Sequence, residues 1–280
     1  MTKADRYLLS DIRSILENGY KDENPRPVYA DGTPAYTISV NHVVRKYDLS
    51  RGEFPICTLR PQAWKTGIRE IFTIYQKPTS VISEMREMGV TWWDPWDIGD
   101  GTIGQRYGAT VKRYDLMNHL IEDIRKDPYG RRKIVDLWQE TDLKETPGLA
   151  PCAFLTIWNV RGDYLDMSLI QRSGDMLTAS GAGGINEIQY AALLMMIAKV
   201  TEKEPGVFTH FVANEQIYDR HTENAQELLR RGEAAPADAP LPSLLLHKES
   251  GCAFEDFTID DFELRGYVPM KPQLSFDLGI

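Results

Sequence analysis

The chain has 280 residues, 42% of them hydrophobic and 26% charged, with a mean hydropathy of −0.38, so it can bury a large core and has the balance of an ordinary globular protein. A formal net charge of −9 excludes a general nucleic-acid binder, which needs a basic face, although it leaves room for a local basic pocket. No apolar run is long enough to span a bilayer, no signal-peptide core opens the chain, and the three dispersed cysteines (Cys57, Cys152, Cys252) suggest neither a metal site nor a disulfide framework, so the expected location is the cytoplasm.

Tyr7, Leu8, Ile12, Ile15 and Leu16 recur at helical spacing and predict a helix over 4–16, ended by Asn18-Gly19. A polar loop from Lys21 to Tyr29 carries Arg26 between two prolines; turn residues follow, then an alternating strand over 37–47. Trp64, Ile68, Ile71, Phe72 and Tyr75 stripe a helix over 61–76, with Glu70 inside the apolar stretch. A carboxylate there is either a solvated edge charge or a group whose pKa burial has raised for proton transfer. Thr91-Trp92-Trp93-Asp94-Pro95-Trp96 is either core or, with Pro and Asp interleaved, a wall that stacks on a flat heterocycle. A helix over 115–126 leads to Arg131-Arg132 and a strand over 133–138. Adjacent strand residues face opposite ways, so only a loop lets both arginines address one target; otherwise they merely solubilise.

Phe154 to Val160 and Tyr164 to Ile170 read as a hairpin about Arg161-Gly162-Asp163. Its return brings Arg172 near Cys152, and a cation beside a cysteine favours the nucleophilic thiolate. The bland alternative is a buried thiol and a surface arginine. Residues 186–201 form the most apolar predicted helix, 207–213 a strand, 217–231 an exposed helix and 233–242 a surface linker; the tail from Leu264 has strand-like pieces.

Pro-Cys, a hairpin, Gln171-Arg172-Ser173-x-Asp175, Asn186 with a Tyr four residues on, and Gln216-Ile217-Tyr218 together resemble the thymidylate synthase family, and the resemblance extends over nearly the whole chain. It implies an α+β fold in one catalytic domain over 1–280, a mixed twisted sheet with flanking helices whose face forms a homodimer interface. The reaction it implies is transfer of one carbon to C5 of a pyrimidine nucleoside monophosphate, foremost dUMP, with 5,10-methylenetetrahydrofolate as co-substrate and no metal, membrane or nucleic acid required. The chemistry suits the residue types: C5 is a poor nucleophile until a polarizable thiolate adds at C6, which splits one hard step into easier ones.

By resemblance, Cys152 is the nucleophile, Glu70 the main proton-handling group, Arg172 the charge beside the sulfur, and Asn186 the reader of the pyrimidine edge. Tyr107 belongs to the same pocket. Arg26, Arg172 and the pair Arg131-Arg132, donated by the partner subunit, would surround the phosphate. Gln171, Ser173, Gln216 and Tyr218 would meet phosphate, base and sugar. Trp93, Trp96, Arg60, Asp175 and the terminal Ile280 would border the folate.

The sequence departs from the family pattern in four places. Ala153 stands where a His commonly follows the Cys, Gln216 replaces a sugar-facing His, the approach through Gly181 to Gly184 is longer, and Arg60 replaces a Lys. Two alternatives follow: a 5-hydroxymethylase, in which water rather than hydride captures the methylene, and a non-catalytic nucleotide- or RNA-binding relative. Retention of Cys152, Glu70 and four arginines argues against the second.

Overall fold

Strand register decides what meets what in this chain. A computed structural model describes residues 1–279, so the expectation for Ile280 lies outside the described residues. Its elements are α1 (Lys3–Asn18), β1 (Tyr20–Lys21), β2 (Thr37–Asp48), α2 (Trp64–Ile71), α3 (Ile82–Glu87), α4 (Gly108–Arg113), α5 (Leu116–Lys126) and β3 (Lys133–Asp136). There follow α6 (Glu140–Glu145), β4 (Ala153–Arg161), β5 (Tyr164–Gln171), β6 (Gly174–Asp175), α7 (Ile185–Val200), β7 (Glu204–Tyr218), α8 (Thr222–Ala234), β8 (Ser243–Leu246) and β9 (Phe262–Arg265). The fold is α+β. A seven-stranded mixed sheet runs β1-β2-β7-β5-β4-β3, with β6 beside β7, and β8 and β9 form a separate ribbon.

The predicted hairpin is β4–β5, antiparallel about Gly162, whose φ of 63° suits a residue without a Cβ. β5 then pairs in parallel with β7, which a hairpin cannot do, and α7 makes the crossover. α7 is apolar around nearly its whole circumference because it is buried on all sides, as the composition of 186–201 suggests.

Two expectations fail in the C-terminal third. Ile217 and Tyr218 end strand β7 rather than begin a helix, because β2 pairs with β7 through Thr37 and Tyr218. Helix α8 starts at Thr222, and only one face of it is exposed: Glu223 and Arg230 face outward, whereas Ala225 and Leu228 are fully buried, and Gly232 lies so close to the Leu9 side chain of α1 that a Cβ there would clash. In the tail only 262–265 pair as a strand.

Helices cover one face of the sheet. On the other, Val44, Phe211, Ile170 and Leu155 stand in register across four strands, an apolar row of which no member is buried. Ile134 and Val44 are about half exposed. No helix among the described residues is long and apolar enough to cross a membrane.

Candidate active site

The hairpin does bring Arg172 to Cys152. The Arg172 backbone N–H donates to the Cys152 carbonyl at 2.9 Å, and Arg172 Nη2 lies 3.5 Å from the sulfur. The guanidinium is held by the Pro151 and Ala150 carbonyls (3.0 and 2.9 Å) and lies 5.7 Å from the Trp138 ring centre. The electrostatic expectation needs correcting. Burial pushes the Cys152 thiol up, Arg172 pulls it down, and burial is the larger effect, so the thiol stands above its ordinary value. One cation does not offset the desolvation of the sulfur.

Glu70, on the inner face of α2, is buried rather than a solvated edge charge. It accepts hydrogen bonds from Trp92 Nε1 at 2.9 Å, from Trp93 Nε1 and from Gln189 Nε2 of α7. Burial lifts its carboxyl to about 7, against the pull of these three donors. The indole run packs into the core beside Glu70: Trp93 lies edge-on against Tyr107 at 4.9 Å, and Trp96 packs half-buried against the same core. Tyr107 joins the two halves of the site, because its hydroxyl accepts the Cys152 N–H at 3.3 Å. Its φ of 49° is a strained backbone of the kind that persists where surrounding contacts demand it.

Asn186 sits in the first turn of α7 and bonds with two other carboxamides. Its Nδ2 donates to Gln189 Oε1 at 3.1 Å, and its Oδ1 accepts from Gln171 Nε2 at 3.3 Å. Gln171 also donates to the Ser173 carbonyl at 3.0 Å, and its Oε1 lies 3.0 Å from His210 Nε2. Behind His210 lies a buried charge network: Glu187 takes His210 Nδ1 at 3.0 Å, the Tyr47 hydroxyl at 2.7 Å and the Gly183 N–H at 2.7 Å. Arg45 meets Glu187, Asp11 and Glu215. Three carboxyls around one guanidinium would leave two uncompensated negative charges if all were ionised. Burial raises both Asp11 and Glu215, the latter to about 7, against the pull of Arg45, and Glu215 Oε1 is unpartnered among the described residues.

The remaining candidates lie along the ends of β5 and β7. The Ser173 hydroxyl reaches Gln216 Oε1 at 3.4 Å, and Tyr218 packs edge-on against Tyr29 and His221. Asp175 accepts the Leu177 N–H at 3.2 Å, and its carboxylate stands 3.8 Å from His221 Nδ1. Arg60 is buried; it donates to the Leu177 carbonyl at 2.5 Å and lies 5.0 Å over the Phe276 ring of the tail. The tail is fastened further by Asn224 to the Ser275 carbonyl (2.6 Å) and by His221 to the Asp277 carbonyl (2.7 Å). Arg220 binds Asp31 and Thr33 on the loop that follows Arg26 at 2.7 and 2.8 Å, and Asp277 of the tail at 3.2 Å.

Arg26 is exposed; burial pushes the Tyr218 phenol above its ordinary value, and Arg26 is near enough to pull against that. Arg131 and Arg132 are exposed on the loop before β3, as two arginines addressing one target require. The ladder sets them far from Arg172: Lys133 faces Trp158 on β4, whereas Arg172 faces Cys152, beyond the Asp136–Leu155 pair. At ~3.3 Å per strand residue, that separation is about 20 Å. One chain does not gather all four arginines.

The family model described as “Thymidylate synthase” matches residues 6–279. The chain belongs to the thymidylate synthase family. It is 49% identical to the thymidylate synthase of Lactococcus lactis subsp. cremoris and 46% identical to that of Streptococcus gordonii, over the full length of both chains in each case. Its fold matches the thermostable thymidylate synthase A from Bacillus subtilis with a TM-score of 0.88, at 32% identity and 99% coverage of each chain. In this thymidylate synthase family member, sequence reasoning missed Trp92, Gln189, His210 and Arg220. Gln189 had a signal: it stands three residues after Asn186 on one helix, where side chains meet. Trp92 had the indole run around it as a signal but not its link to Glu70, and His210 had none, since their partners come from remote segments.

Proposed function

We propose that this protein is a thymidylate synthase, a methyltransferase that converts dUMP and 5,10-methylenetetrahydrofolate into dTMP and dihydrofolate in one catalytic domain. Identity of 46–49% over the whole length of proteins named for this activity supports methylation over hydroxymethylation. The observation that carries the reading in the site itself is the joining, through Tyr107, of a thiol beside a guanidinium to a buried carboxyl raised to about 7. Such a carboxyl can give or take a proton near neutral pH, which proton transfer at a pyrimidine ring needs.

In this mechanism Cys152 adds to C6 of the base and later leaves, with Arg172 holding the sulfur's surroundings positive. Glu70 moves protons at the base. Asn186 addresses the pyrimidine edge, since a carboxamide offers a donor to O4 and an acceptor to N3–H. The flat indoles of Trp93 and Trp96 beside the Glu70 carboxyl fit a pterin ring, and the folate would supply the carbon and the hydride. Arg60, Asp175 and the tail would border it. Ser173, Gln216 and Tyr218 would meet phosphate and sugar.

The working unit is a homodimer. The apolar row Val44–Phe211–Ile170–Leu155 supplies a face for it, and the separation of Arg131-Arg132 from Arg172 requires the pair to come from a second copy if all four arginines bind one phosphate. Four guanidiniums around one dianion make a strong, geometry-specific site. The test is incubation of purified protein with dUMP and the folate. Equimolar dTMP and dihydrofolate are expected; a hydroxymethylated product without dihydrofolate overturns the reading.

A further inference from the structure

Three carboxamides stand in a row between the Ser173 carbonyl and the Glu70 carboxyl, which, when the latter is ionised, both only accept hydrogen bonds. At one end Gln189 gives its Nε2 to the Glu70 carboxylate, so its Oε1 faces Asn186 and takes the Asn186 Nδ2 at 3.1 Å. At the other end Gln171 gives its Nε2 to the Ser173 carbonyl at 3.0 Å and presents it to Asn186 Oδ1 at 3.3 Å. Reversing any one amide sets N–H against N–H or oxygen against oxygen, so the two acceptors fix the sense of all three.

The count of donors and acceptors then matters. A primary amide has two N–H bonds and two lone pairs on its oxygen. Asn186 spends one of each within the row, leaving one N–H and one lone pair, with their sense already set. A uracil edge presents an acceptor and a donor that match one sense of that amide; a cytosine edge presents the opposite pattern and matches the other.

We propose that Gln189 is the positioning residue that locks the sense of the Asn186 amide and thereby sets the preference for uracil over cytosine nucleotides. Gln171 favours the same sense but holds it more weakly, because its contact with Asn186 is the longer of the two, 3.3 Å against 3.1 Å. Without Gln189 only the longer Gln171 contact opposes reversal of the Asn186 amide, so the cytosine-matching edge becomes easier to present. The inference rests on the reading of Asn186 as the group that faces the base.

The experiment measures kcat/KM, or the dissociation constant where turnover is too slow, for dUMP and dCMP with wild type, Gln189→Met and Gln189→Leu, each checked by thermal melting. Wild type should favour dUMP, and both variants should lower the dUMP-to-dCMP ratio about tenfold, the scale of one mismatched polar edge. A packing defect would lower both substrates alike and leave the ratio unchanged. Repeating Gln189→Met in an Asn186→Asp background adds a second readout. There Gln189 Oε1 meets a carboxylate, so its removal should not repeat the wild-type loss. A wild type indifferent to the base would overturn the reading of Asn186 and this inference with it. A wild type that prefers dUMP, with ratios unchanged in both variants or strictly additive effects in the cycle, would overturn the role of Gln189 alone.

Discussion

Arg172 Nη2 stands 3.5 Å from the Cys152 sulfur, yet the thiol remains above its ordinary pKa because burial outweighs that one charge. The arginine is therefore opposing a penalty rather than creating a stable thiolate. Arg172→Ala should push the thiol higher still and slow alkylation of Cys152 by iodoacetamide at pH 8 severalfold; Arg172→Lys should restore part of the rate. Equal alkylation rates in wild type and Arg172→Ala would show that the guanidinium has no influence on the sulfur.

Cys152→Ala should abolish turnover and leave dUMP binding nearly intact, because it removes the nucleophile but no group that meets phosphate. Product formation and calorimetric binding are to be measured on one preparation. Measurable dTMP from the variant rules out the covalent route.

Glu70 couples activity to stability. Its carboxyl titrates at about 7 in the folded chain, against 4.5 as the ordinary value. A raised carboxyl contributes stability that is fully present below the unfolded value and lost as pH rises through the folded one. The loss amounts to about 3 kcal/mol by pH 8, from roughly 1.4 kcal/mol per pKa unit. Glu70→Gln carries no such charge, so its stability relative to wild type should improve between pH 4.5 and 7 and level off above. Glu215 titrates in the same range but is present in both proteins and cancels. Denaturant melts at pH 5 and pH 8 check this, and parallel curves contradict it. Activity of the variant should fall ~10²-fold or more, the scale of a lost proton-transfer group.

The shared phosphate site predicts complementation. Cys152→Ala and Arg132→Glu homodimers should each be inactive. After subunit exchange, heterodimers carry one site with an intact thiol and intact donated arginines, so activity should return toward about a quarter of wild type in the mixture, from random pairing with one sound site in two per heterodimer. Exchanged mixtures that stay inactive show that the arginines serve their own chain.

How much of this was legible in the sequence depended on distance along the chain. The meeting of Cys152 and Arg172 follows from two alternating runs and one Gly turn, all local signals, and the helix behind Asn186 follows from the apolar stretch Tyr190 to Ala198. The surroundings of Glu70 come from three segments, so residue periodicity left open whether it was solvated. The start of α8 was misread because Ile217 fits a helical stripe as well as a strand; only pairing with β2 decides it. The charge network of Arg45 was invisible, since on an isolated strand an arginine is ordinarily taken for a solvated side chain. The net direction of the Cys152 pKa was equally hidden, because burial is a property of the whole fold.

One guanidinium, that of Arg220, grips both the loop that follows Arg26 and Asp277 of the tail. Two segments that share a clasp cannot loosen independently. Whatever free energy a ligand on the Arg26 side gains from a docked tail, the tail must gain equally from that ligand, since linkage between two sites is reciprocal. The order in which two ligands arrive is then written partly in an ion pair on the surface, and salt, which screens exposed charges, becomes a means of uncoupling them.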